Sequence, residues 1–101
     1  MAATAKALAR TTLTTSSATL YTVPASTTAI VTNIALANIT GSDATVDLEL
    51  DGVELLKAVT VAANSVTVID LKQVLVATDT ITGLASATST ITVHVSGVEV
   101  V

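Results

Sequence analysis

Residues 45–51 alternate without a break: Val46, Leu48 and Leu50 fall on one side, and Asp47, Glu49 and Asp51 on the other. Period-two alternation with one polar face predicts a half-buried β-strand. Asp51-Gly52 follows, a dipeptide suited to a type I′ hairpin turn with positive φ at both central residues. The return strand is expected over 53–61, with Val53, Leu55, Val59 and Val61 on one face. Lys57 interrupts that face, which predicts a bulge or register change. Upstream, 19–23 reads as a strand stopped by Pro24, which has no N–H for a ladder. A long strand is expected over 28–39, with Ile30, Thr32, Ile34 and Leu36 on one face and Val31, Asn33, Ala35 and Ala37 on the other. Apolar content on both faces predicts a strand packed on both sides or touching another subunit.

Further strands are expected over 66–71, 80–84 and from Thr90 onward. Residues 72–75 read as a connection anchored by Leu75, and Gly97 as the mark of a bulge. Turn signals recur about every 8–12 residues, the spacing of a sandwich or barrel. The fold class that follows is all-β: an antiparallel β-sandwich, jelly-roll or immunoglobulin-like. Residues 1–16 stand apart. They are rich in Ala, Thr and Ser, and Ala2 to Arg10 suits a short helix with Leu8 as its apolar contact. Helices this short are marginal alone. The segment is therefore expected as an extended N-terminal arm, either a disordered tail or a piece that orders on a neighbour. The division is an arm over 1–16 and a β-sandwich domain over 17–101.

Composition changes this picture in one way. Tyr21 is the only aromatic residue among 101, so Val, Ile, Leu, Ala and Thr must fill the core. Aromatic side chains bury about 150–250 Å² each and usually carry much of a core. Their absence predicts a thin core and a homo-oligomer. Threonine is β-branched, favours strands, and can dock on protein while tolerating water. The net charge is −4, without the basic stripe of a nucleic-acid binder. No run approaches the roughly 18 apolar residues of a membrane helix, and the aromatic girdles of a membrane barrel are missing. The first residues lack a continuous apolar stretch of the kind found in signal peptides. There is no cysteine, hence no disulfide, thiolate ligand or cysteine nucleophile.

Candidate chemistry is sparse. Asp47, Glu49, Asp51 and Gly52 imitate the start of a calcium loop, but the twelfth position, which must be a bidentate Glu, is Ala58. A solvated strand face accounts for these acids; a weak cation site between subunits is the alternative. His94, the sole histidine, sits between Thr92 and Ser96 with no nucleophile elbow in the chain. It reads as a surface or interface residue, and Tyr21 as core or interface. No catalytic, cofactor or metal site is expected.

The runs LYTVPASTTAIVTNI (20–34) and VAANSVTVIDLKQVL (61–75), followed by TDTI (78–81), resemble small β-sandwich virion proteins of tailed phages. Ser26 and Thr78 stand where that group usually carries Gly. The resemblance covers roughly Leu20 to Val98 and brings no catalytic residues. It implies a capsid decoration (cement) protein on the capsid exterior of a virion, bound to the major capsid protein as a trimer. The alternatives are a neck, tail or baseplate component, or an attachment module for a host glycan or other ligand. On this reading Lys6, Leu8 and Arg10 are the expected capsid contacts, and the protein is not an enzyme.

Overall fold

The computed structural model describes residues 2–101. Eight strands follow in order: β1 (Ala3–Thr12), β2 (Ala18–Thr22), β3 (Thr28–Asn38), β4 (Ala44–Leu50), β5 (Val53–Val61), β6 (Val66–Leu75), β7 (Thr80–Ala85) and β8 (Ile91–Val100). They form two four-stranded sheets, ordered β1-β8-β3-β6 and β2-β7-β4-β5, with every pair antiparallel. Only β4 and β5 are joined as a hairpin within one sheet; every other connection crosses between the sheets. Eight strands in two sheets with this winding make a jelly roll, which decides between the two sandwiches expected.

Residues 3–12 are a strand, neither a helix nor a free arm. Ala-rich sequence favours helix weakly. The strand is decided by pairing with β8, roughly ninety residues away in the chain, from Ala3↔Val100 to Thr12↔Thr92. Ala2 and Val101 extend the ladder by exchanging backbone hydrogen bonds of 3.1 and 2.9 Å. The boundary expected at residue 16 thus has no structural counterpart, because β1 is an edge strand of the sandwich. The second difference is β6, which continues through the expected connection to Leu75.

Bulges correct the expected strand faces. Thr32 is an extra residue of β3 against β8, so the inward set runs Ala29, Val31 and then Ile34, Leu36, Asn38. A single insertion reverses the alternation of everything after it. Leu8 is likewise extra on β1, between Ala7↔Ser96 and Ala9↔Val95. Both bulges lie beside Gly97, which is itself in register with Lys6 and Val31. Gly97 is therefore not the bulged residue; its neighbours bulge around it. On β5 two irregularities flank Leu56, and Lys57-Ala58 opposes Asp47 as the sequence predicted.

The turns follow their residue chemistry. Asp51 and Gly52 have φ of 52° and 75°, as a type I′ turn requires. Ser26 and Thr78 have φ of 57° and 73°, the left-handed region that glycine favours. The core between the sheets is aliphatic, built on Val31, Ile34, Leu36, Val46, Leu48, Ile81, Ile91, Val93 and Val95. The chain exposes 5129 Å². A folded monomer of its 10.1 kDa is expected to expose roughly 5,300 Å². Small side chains thus bury an ordinary share of surface, and the thin-core argument for oligomerisation loses its premise. What remains is the character of the surface left outside.

Candidate functional site

The two outer sheet faces are unlike. Residues paired in register share a face, which lets the surface be read row by row. On the outside of the β1-β8-β3-β6 sheet, one row is Thr12, Thr92, Ala37 and Val66. The next is Arg10, His94, Ala35 and Val68, followed by Ala7, Ser96, Asn33 and Asp70. Then come Ala5, Val98, Ile30 and Val74. Only Arg10 and Asp70 in these rows carry a full charge; Lys72, exposed at the irregularity of β6 between the last two rows, adds a third. Val66, Val68 and Val74 on edge strand β6 are 57–64% exposed. A long apolar edge strand open to water is a pairing or docking liability unless covered, and a solvated outer face would normally be polar.

The other sheet shows the polar pattern. Thr45, Asp47 and Glu49 of β4 lie beside Leu84 and Thr82 of β7 and beside Thr60 and Glu54 of β5. Asp47 is already committed: its Oδ1 accepts the Ala58 N–H at 2.7 Å and its Oδ2 pairs with Lys57 Nζ at 3.4 Å. This carboxylate holds the β5 bulge, where Ala58 has a φ of 49°. Glu49 and Glu54 face each other in register. Desolvation first, then the contact with Glu49 and the charge of Asp47, push the Glu54 carboxyl above its ordinary value. Among the described residues no group of three or more His, Asp or Glu is placed to hold an ion.

The three expected contact residues do not converge. Leu8 is a core residue, 7% exposed, because its bulge turns it inward. Lys6 lies on the inward side of the edge and its Nζ pairs with Glu99 at 3.2 Å. Arg10 lies on the outer face, in register with His94. Lys6 and Arg10 share parity in the sequence, and the inserted Leu8 places them on opposite faces. His94 is half-buried there between Arg10 and Ala35, neither of which is the acid that a catalytic imidazole needs behind it.

Tyr21 clips the two sheets together. It belongs to β2, and its hydroxyl donates to Glu99 of β8 in the opposite sheet. Burial first, and then the Glu99 carboxylate, push the Tyr21 phenol well above its usual range. The Tyr21 hydrogen bond first, opposed by desolvation and aided by Lys6, holds Glu99 below the ordinary carboxylate value of 4.5. A depressed carboxylate contributes stability that is present above its unfolded value and lost as pH falls through its folded value. Glu99→Gln should therefore be less stable than the parent at pH 7, with the deficit closing between pH 4.5 and the acid limit. Urea unfolding of both proteins from pH 7 down checks this; a deficit independent of pH would rule out the ionic clip.

Two signals in the sequence could have found features that its motifs did not. Asn38, two residues before the Thr-Gly-Ser-Asp run, is a residue able to organise a turn through its side chain. The valine pairs Val66/Val68 and Val74/Val76 mark the exposed edge. Comparison with protein-family models and with curated protein sequences returns no match.

Proposed function

We propose that this chain is a structural protein of tailed-phage virions: a capsid decoration subunit. It binds the exterior of the assembled shell, contacts the major capsid protein and acts as a homo-oligomer without catalysis. The observation that supports this reading is the contrast between the sheet faces. One carries few charges, is built mostly of small side chains and ends in an exposed valine edge, as a surface covered by protein would. The other, with its threonines and acids, is suited to remain in water. Resemblance over residues 20–98 supports the virion part of this reading, and the contrast supports the manner of working.

The mechanism is thermodynamic. A protein that binds the assembled shell better than free shell subunits stabilises the assembled state by mass action. Linking several weak contacts through an oligomer raises their effective concentration. Quantitative mass spectrometry of purified particles tests the proposal. Copies comparable in number to the major capsid protein are expected. Tens of copies or fewer would move the chain to a neck, tail or baseplate, and none would remove it from the virion.

A further inference from the structure

We infer that the outer face of the β1-β8-β3-β6 sheet is covered by the same face of a second copy, related by a two-fold axis parallel to the strands and running between β8 and β3. The inference needs no virion; it rests on the layout of this face alone. Two sheets pack face to face about 10 Å apart, with strands aligned within about 30°. A strand-parallel two-fold lays each β1 over the partner's β6, and each β8 over the partner's β3.

Charge favours this axis. Arg10 lies on β1 at one edge, and Asp70 on β6 at the other, one register row along. The strand-parallel axis brings Arg10 of each copy within side-chain reach of Asp70 of its sister, twice. An in-plane axis across the strands would put β6 on β6 and β1 on β1; Lys72 of β6 would then meet Asp70 of the sister, but Arg10 would be left without an acidic partner. An interface that pairs both of its opposite charges is favoured over one that leaves a charge unpaired.

Size is compatible with the same axis. Val74 of β6 comes to face the partner's Ala5 and His94 of β8 the partner's Ala35, large against small, while Val98 meets the partner's Ile30 in an apolar contact. Interdigitated packing of this kind is what sheet interfaces require. Four strands at about 4.8 Å and some nine residues at about 3.3 Å give roughly 600 Å² per copy. Both copies together bury roughly 1,200 Å², the lower end for stable specific interfaces. This geometry gives a pair, where the resemblance implied a trimer.

Sedimentation velocity of the full chain tests the inference. A dimer is expected at about 100 µM. Arg10→Glu and Asp70→Arg should each weaken it at least tenfold, and the double swap should recover most of the loss. Val68→Lys, at the centre of the β6 edge, should give monomer. All three positions are exposed, and circular dichroism reports whether each variant is folded. A parent that stays monomeric at 100 µM, a trimer, or a dimer indifferent to both single charge changes would each overturn the two-fold arrangement. The first of these needs no variant at all.

Discussion

Replacing Gly97 with alanine is expected to lower the melting temperature by about 12–24 °C. A Cβ at Gly97 would lie 2.2 Å from the Ile30 carbonyl oxygen and 2.9 Å from Leu8 Cδ1. The leucine side chain can shift, but the Ile30 oxygen belongs to the backbone of β3 and moves only if that strand does. β8 sits between β1 and β3 in its sheet, so parting it from β3 disturbs the pairing that organises that half of the sandwich. Overpacking usually costs about 1–3 kcal/mol, and contact with backbone puts this case at or above the upper figure. A domain of this size loses about 4–8 °C per kcal/mol. Gly41→Ala is the control, since nothing lies within 4 Å of a Cβ there and no positive φ is needed. It should change stability by less than about 0.5 kcal/mol. Thermal denaturation of the two variants side by side checks the claim; equal melting temperatures would refute it.

Asn38→Ala is expected to cost about 3 kcal/mol, from the polar groups it leaves unpartnered. Asn38 is 3% exposed at the end of β3. Its Nδ2 donates to the Ser42 and Val61 carbonyls at 2.8 and 3.0 Å. Its Oδ1 accepts from the Thr40 N–H and the Thr40 hydroxyl at 2.9 and 2.8 Å. Two donors and two acceptor sites are all that an amide side chain has. One residue thus fixes the β3–β4 turn and ties it to the end of β5. Asn38→Asp keeps the acceptors, loses both donors, and sets a carboxylate against two carbonyl oxygens. It should be at least as damaging as alanine despite its matching shape. Denaturant unfolding of the three proteins at pH 7 separates the outcomes. An aspartate variant as stable as the parent would mean that the donated bonds contribute nothing.

The strands were legible where local pattern and tertiary demand agree. Alternation over 45–51, the Asp51-Gly52 turn and the disturbance at Lys57 each have a cause within a few residues. β1 was not legible, because nothing in ATAKALARTT distinguishes a strand from a helix until β8 supplies its partner. Its misreading carried the expected contact residues with it: Leu8 became core and Lys6 a partner of Glu99. Alternation alone assigns the faces of β3 in a fixed register, and the insertion at Thr32 exchanges them beyond that point. Bulges of this kind depend on the neighbouring strands, and here Gly97 permits the close approach that two of them surround. The apolar outer face was foreshadowed by the two-sided character of residues 28–39. Its rows became readable only once register joined residues from four separated strands.

The central claim is that the outer face of the β1-β8-β3-β6 sheet is covered in the working protein while the other sheet stays wet. The chain has no cysteine, so a single introduced thiol reports one position. Val68→Cys samples the first face and Thr60→Cys the second; both parent side chains are exposed in the single chain. Maleimide labelling rates would be measured for each variant at about 1 and about 100 µM protein. The account predicts at least tenfold slower labelling of Val68→Cys at the higher concentration, with Thr60→Cys unchanged. Equal rates for Val68→Cys at both concentrations would contradict it.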